Sequence, residues 1–430
     1  MKGAEPFIQV LLLRSLLKWI VLGGLVGLLS GTASAVFLKS LAYVTQIRLE
    51  HPWVLFLLPL GGAGISYLYY RYGKNSTKGN NLLIEQIQEQ AYEPVPLRMA
   101  PLVLLGTLVT HLLGGSAGRE GTAVQMGGSL AEQIGKWLKI GPLDRRILLM
   151  CGISGGFGSV FGTPIAGAVF AIEVIAIGMI RYDALIPCFV ASFVGNLVAM
   201  NVWGVTHIHY PIGEVPVLSL MILLKVTIAA VCFGLTSLCF SELTHFLKKI
   251  FASTLPNPMV KSAVGGIIII VMVYLIGSRD YLGLGIPLIT DSFEDTVHPF
   301  AFLGKLLFTS VTLGAGFQGG EVTPLFAIGA TLGNSLAGVL HMYAPFLAAL
   351  GFIAVFCGAT NTPLACFLMG IELFGSEGAI FMFVACLISY LFSGHTGIYT
   401  SQMIGVSKSH LVQVPLGSNI SSIRNKHKKP

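Results

Sequence analysis

One pattern, stated twice, limits how this chain can fold. Gly118-Arg119-Glu120-Gly121-Thr122 opens an apolar segment that runs to Leu138, and Gly319-Gly320-Glu321-Val322-Thr323 opens another. Both read Gly-x-Glu-x-Thr-x5-Gly, closing at Gly128 and Gly329, and they lie 201 residues apart (321 minus 120). A second match follows in the same order. Thr163-Pro164-Ile165-Ala166, five residues, then Ile172-Glu173 recurs as Thr362-Pro363-Leu364-Ala365, five residues, then Ile371-Glu372, a shift of 199 (362 minus 163). Two ordered matches at nearly one offset imply two structural repeats. Matched, interrupted apolar segments in two halves point to a transport site between them.

The chain supports that reading chemically. Only 10% of its 430 residues are charged and 54% are hydrophobic, with a mean hydropathy of +0.79. A soluble domain carries about 25% charged residues, so the expected class is an all-α polytopic membrane protein. The net charge of +7 gathers at the ends, with Lys2, Arg14 and Lys18 in front and Lys408, Arg424, Lys426, Lys428 and Lys429 behind. Basic flanks stay on the cytoplasmic side, so both termini are expected there, in the cell (inner) membrane. Nucleic acid is not implied as a partner. The seven cysteines have no metal-ligand spacing and read as small buried hydrophobes; neither a metal nor a cofactor is expected. The front end imitates a signal peptide, but its apolar run continues from Ile20 towards Tyr43, long enough to span a bilayer.

Segments 18–47 and 53–72 read as long helices, 82–90 as a short one, and 98–117 as a possible span. A Gly-rich run from Arg146 leads to Thr163-Pro164, where a helix is expected to start with the threonine as its cap and proline in the first turn. Arg181-Tyr182-Asp183 is expected to end it, and 184–204 is apolar again. Polar residues 205–216 mark the boundary, giving a first repeat over 1–210, a second over 211–408 and a basic cytoplasmic tail over 409–430. The second half repeats the course through 216–248, 260–277, 299–314, 323–342, 345–357, 363–374 and 379–392. Many of these are shorter than the roughly 20 residues of a perpendicular span. Broken helices of that kind must end against protein or a water-filled cavity, since lipid cannot satisfy their termini.

Short helices starting after Gly79, at Glu120 and at Thr323 would present unpaired N–H groups, and several such ends converging would bind an anion. Asn80 and Asn81 add amide donors, and Thr323 and Tyr399 add hydroxyls. For each turn alone, a packing glycine is the simpler explanation. Glu120 is the sharpest candidate, because an intramembrane carboxylate is functional by default. Being itself an anion, it can take the anion's place at a helix start, blocking when charged and swinging out when protonated. The bland alternative is a helix cap or a pair with Arg119. Glu321 has the same choice, while Glu173 and Glu372 read as structural.

Gly118-Arg119-Glu120-Gly121, the Gly-Gly-Glu-Val-Thr-Pro at 319–324, the Gly-x-Gly-Ile-Pro at 283–287 and Ile398-Tyr399 resemble the CLC chloride channels and proton-coupled antiporters over about residues 18–406. That resemblance implies a homodimer with one pore per subunit, inverted repeats, a gating glutamate at Glu120 and anion contacts from Gly118, Arg119 and Gly121. It also leads one to expect no nucleotide-binding domains of the eukaryotic type. Two departures narrow it. Gly79-Asn80-Asn81-Leu82-Leu83 replaces the Gly-Ser-Gly-Ile-Pro of chloride-type members, and Val174 stands where proton-coupled chloride exchangers carry a second glutamate. Both changes resemble the fluoride-exporting CLC-F branch, which implies roles for Glu321 and Thr323 in handling proton and fluoride, with Tyr399 on the inner side of the path. Two asparagine amides suit small, strongly hydrated fluoride better than one serine hydroxyl.

The expected function is therefore fluoride/proton antiport. The nearest alternative is a chloride channel or chloride/proton exchanger of the same fold. A different class, an intramembrane serine hydrolase, is raised by Gly152-Ile153-Ser154-Gly155-Gly156, which fits the nucleophile pattern, with His111 or His395 as base. That pattern lies in a run of small residues where it arises by chance.

Overall fold

The computed structural model describes residues 7–88, 94–412 and 414–426; Lys2, Lys428, Lys429 and the last two residues of the 82–90 segment lie outside them. The first half contributes α1 (Ile8–Glu50), α2 (Leu58–Leu68), α3 (Asn80–Ile87), α4 (Met99–Leu112), α5 (Glu120–Trp137), α6 (Pro142–Phe161), α7 (Pro164–Glu173) and α8 (Leu185–Leu197). The second contributes α9 (Leu220–Thr254), α10 (Pro258–Ile276), α11 (Ile286–Glu294), α12 (Ala301–Gly314), α13 (Val322–Leu340), α14 (Ala344–Thr360), α15 (Pro363–Phe374) and α16 (Ala379–Phe392), and α17 (Ile420–Lys426) follows. Residues 204–219 carry no helix. Six stretches among the described residues are long and apolar enough to cross a membrane, whereas α4, α7, α12, α14, α15 and α16 have only 10–17 residues. At 1.5 Å per residue the shortest of these reaches about halfway through the hydrocarbon.

Helices eight apart in the order keep equivalent company. α1 packs on α8 as α9 packs on α16, and α5 packs on α6 as α13 packs on α14. α2 touches its own counterpart α10, and α7 touches α15, as elements beside a two-fold axis must. The α5–α6 and α13–α14 contacts are backbone against backbone. A methyl added to Gly127 or Gly152 would land on the other's carbonyl, and Gly329 and Gly351 stand in the same relation. Lipid gives apolar helices no hydrophobic reason to associate, so close approach through small residues supplies the packing energy.

Three expectations need correction. The Gly-rich run from Arg146, read only as leading to Thr163-Pro164, is the helix α6, with Gly152 and Gly156 against α5, Gly155 against Ser30 of α1 and Gly158 against Ser192 of α8. Thr163 does not cap α7: its hydroxyl has no partner among the described residues. The cap comes from the other half, where Glu372 accepts the N–H groups of Ile165 (2.9 Å) and Ala166 (2.8 Å). Glu173 returns the contact, accepting from Leu364 (3.1 Å) and Ala365 (2.8 Å) at the start of α15. A carboxylate has two acceptor oxygens for two orphan donors, which one hydroxyl cannot match. Finally, α7 stops at Glu173 rather than at Arg181-Tyr182-Asp183. The chain instead enters β1 (Ala176–Ile177), which pairs in parallel with β2 (Met403–Ile404). The C-terminal stretch thereby folds back onto the body, fastened by Arg424 to Glu242 at 2.8 Å.

Candidate ion-binding site

The two copies of the Gly-x-Glu-x-Thr motif meet. Gly118 donates its N–H to the Gly320 carbonyl (2.6 Å) and Gly320 returns a bond to the Gly118 carbonyl (2.8 Å). Reciprocal bonds between Gly118 and Gly320, one position out of register in the motif, need both backbones in close approach: a Cβ on Gly118 would stand 3.0 Å from the Gly320 carbonyl and 2.9 Å from Glu120 Oε2. This bridge sets the first turn of α5 against the first turn of α13.

Glu120 crosses that junction. It is 1% exposed, and its Oε2 accepts the backbone N–H of Thr323 at 3.0 Å and of Arg119 at 3.1 Å. Oε1 accepts the Thr323 hydroxyl in a short bond, with Arg119 Nε at 3.5 Å. The carboxylate therefore occupies the N-terminus of α13, the position a free anion would take. Both parts of the earlier alternative are present, a pair with Arg119 and a cap, but the cap closes a helix of the opposite half.

Cavities lie on either side of this junction. One, of about 30 Å³, touches Arg119, Thr323, His207, Phe161 and Phe326; it has room for about one water. The other, about 510 Å³, is lined by Gly79, Asn80, Asn81, Gln125, Lys248, Lys261, Glu321 and Tyr399 among others. Gly79 turns the chain into α3 with φ +58°, a left-handed conformation that suits glycine. Asn80 then lies at the first turn, its Nδ2 3.0 Å from where a Cβ on Gly121 would be, so Gly121 is small to let the amide in. The Asn80 side-chain carbonyl has no partner among the described residues. Tyr399 is buried at 5% exposure, its ring edge-on to Phe170 with centroids 6.5 Å apart.

Two candidates are otherwise committed. The Gly118 N–H is spent on Gly320 and is not free for an anion. Asn81 uses its side-chain carbonyl to accept from Ser401 N at 3.0 Å, so it also braces the segment that carries Tyr399. Among the lining residues that escaped the sequence reading are Gln125, Lys248 and Lys261. Gln125 left a trace, being a polar residue in an apolar segment, five positions beyond Glu120. The lysines left none, since their helices read as ordinary spans. Aromatic rings wall one flank, with Phe326 stacked on Phe352 at 3.9 Å and 5.2 Å from Phe161.

The hydrolase pattern does not assemble. Ser154 is fully buried and donates to the Cys188 carbonyl at 2.7 Å. His395 instead accepts from Lys408 N at 3.0 Å, and His111 makes no hydrogen bond to Ser154.

A multi-pass helical membrane protein, with broken helices converging from two halves on one buried carboxylate, is the class these features define. The chain belongs to the voltage gated chloride channel (CLC) family, whose model matches residues 61–394. It is 50% identical, over 97% of its length and 93% of the relative's, to a "Chloride/fluoride channel protein" of Pseudomonas syringae pv. tomato. It is 25% identical to an "H(+)/Cl(-) exchange transporter ClcA" of Vibrio vulnificus, over 82% of this chain and 81% of that one. Its structure resembles the crystal structure of a CLC-type fluoride/proton antiporter with a TM-score of 0.87 and 34% identity, covering 90% of this chain and 98% of the other. A slow cyanobacterial Cl-/H+ antiporter matches in fold at a TM-score of 0.75 and 22% identity, over 87% of this chain and 94% of that one. The fold is thus of the CLC type, two inverted repeats with many short, broken helices.

Proposed function

We propose that this protein exports fluoride in exchange for protons, with Glu120 as the gate. The observation that carries the reading is the Glu120 carboxylate seated on the N–H and hydroxyl of Thr323. A bound carboxylate at a helix N-terminus is a tethered copy of the transported anion. When Glu120 takes a proton it loses its charge and its hold, and fluoride accepts the Thr323 donors in its place. Asn80, beside Gly121, supplies a further amide, and Tyr399 a hydroxyl. Neither position requires a full positive charge in contact with the anion, which would hold it too tightly for turnover.

The proton must reach Glu120 without a glutamate at Val174. Glu321 serves that need: it lines the larger cavity and stands two residues before Thr323. Glu120 then handles the proton on the outer side and Glu321 on the inner. Fluoride rather than chloride is favoured by Asn80 and Val174 and by the similarity to a fluoride/proton antiporter; the 50% identical relative is named for both anions. On the same reading the protein sits in the cell (inner) membrane as a homodimer, with both termini in the cytoplasm. The chain divides near residue 210, and residues 409–430 form the tail.

The test is efflux from proteoliposomes loaded with fluoride or chloride, with external pH recorded. Fluoride efflux coupled to uphill proton movement is expected. Chloride moving as fast as fluoride, or fluoride moving without protons, would replace this reading with the chloride or channel alternative.

A further inference from the structure

Behind the proposed gate lies a cation that pairs with no carboxylate among the described residues. Lys305, on α12, has 0% exposure. Its ammonium donates to the Gly283 carbonyl (2.7 Å), Ser116 Oγ (3.0 Å) and the Tyr281 carbonyl (3.1 Å). All three acceptors are neutral. A second cation, Arg48, reaches the same turn: its guanidinium stands where a Cβ on Gly283 would be, and its Nη1 donates to the His111 carbonyl at 3.3 Å. Charges held at membrane depth are costly and are ordinarily paired. Three neutral acceptors satisfy the ammonium's donors but leave its charge unbalanced.

The contacts of Lys305 lead directly to the gate. Ser116 lies in the extended segment 115–118 that runs through Ala117 to Gly118, where Gly320 is bridged. That segment is laced to the Gly283 turn by Gly283 N to the Gly115 carbonyl (3.1 Å) and Ala117 N to the Gly283 carbonyl (3.3 Å). It is laced to α12 by Ser116 N to Thr312 Oγ1 (3.1 Å) and Ser116 Oγ against Thr309 Oγ1 (2.9 Å). Lys305 stands where these three pieces join. The negative charge this junction faces along the chain is the Glu120 carboxylate, whose Oε2 crowds Gly118.

We propose that Lys305 is a positioning and affinity-setting residue of the anion path, its buried charge balanced by whichever anion holds the Glu120 place, the carboxylate or fluoride. The inference rests on the reading of Glu120 as gate. It assigns Lys305 two effects: it pins the 115–118 segment, and it supplies a fixed positive field without touching the ion. At an effective dielectric of about 20, a unit charge on the order of 10 Å from an anion changes its affinity by roughly tenfold, and that is the scale of effect assigned to Lys305.

Lys305→Met keeps the length of the side chain and removes the charge. The half-saturating fluoride concentration should rise about tenfold, with the maximal rate changed less. Ser116→Asp offers the lysine a local counter-charge without removing it, and Ser116→Asn is its neutral isostere. The aspartate variant should raise half-saturation about tenfold over the asparagine variant, and this pair decides the matter alone if Lys305→Met does not fold. An unchanged half-saturation in Lys305→Met, with only rate or thermal midpoint lowered, overturns the proposal by reducing Lys305 to a strut. So does an aspartate variant indistinguishable from the asparagine one. Failure of the unaltered protein to exchange fluoride would instead sink the gate reading itself.

Discussion

Glu173 and Glu372 form one repeat-matched pair of carboxylates, and Glu120 and Glu321 form another, yet the two pairs have gone opposite ways. The first pair is reciprocal: each side chain takes two N–H groups from the helix start of the other half. The second is one-sided. Glu120 reaches across to the N–H and hydroxyl of Thr323, but Glu321 makes no answering bond to α5 and faces the large cavity instead. Thr122, the counterpart of Thr323, turns its hydroxyl to Thr107 at 2.6 Å. Where both halves need the same thing, a closed helix end, the symmetry has been kept. Where it is broken, two equivalent carboxylates are free for two different tasks. That asymmetry is what the proposed division of the proton task between Glu120 and Glu321 requires.

The comparison can be broken at four points, the largest effect first. Glu120→Gln cannot titrate and should abolish proton coupling, so that no uphill proton movement accompanies a fluoride gradient in proteoliposomes. If protons are still driven, the one-sided contact is merely a cap. Glu321→Gln should slow or uncouple exchange about tenfold while the protein stays folded by size-exclusion chromatography; full coupling in that variant would remove the division of labour. Asn80→Ser restores the chloride-type residue and should raise the chloride-to-fluoride flux ratio a few-fold. An unchanged ratio would move selectivity to Thr323, Tyr399 or the Phe326 ring. The smallest effect on transport is expected from Glu173→Gln. Its carbonyl still accepts one N–H, so turnover should stay within about twofold of the parent, with a stability loss of about 1 kcal/mol in thermal unfolding. Coupling lost there and kept in Glu321→Gln would invert the contrast between the pairs.

Much of this was legible in the sequence because it is written locally. The doubled motif located both helix starts, and the shortness of segments such as Pro363–Phe374 announced ends within the bilayer. α15 and α16 have the same bounds as the apolar segments 363–374 and 379–392. Glu120 was visible for a physical reason, since a carboxylate in apolar surroundings has few uses. What escaped depends on partners far along the chain. Threonine before proline looks like a cap, and nothing nearby reveals that Glu372, some 200 residues on, will take the N–H groups first. Asn81 is drawn to Ser401, and Lys305 to a segment almost as distant. α6 was hidden by its own glycines, which usually weaken a helix but here are its contact surface. α1 begins at Ile8 rather than near 18 because Ile8–Leu17 contains no helix breaker.

The glycine contacts also bear on the pace of the cycle. With α5 pressed against α6 and α13 against α14 at carbonyl range, neither helix that begins at the gate can slide without forcing backbone into backbone. The cycle is left to small moving parts, chiefly one glutamate side chain turning about its own bonds. Side-chain turns take nanoseconds or less when unhindered, against microseconds to milliseconds for shifts of whole helices. Glu120 is buried and holds the N–H groups of Thr323 and Arg119, so its proposed swing waits on the breaking of those bonds and is not an unhindered turn. On the proposed gating, the pace of exchange depends on how often a proton arrives to release that carboxylate, with α5 and α13 held in place throughout.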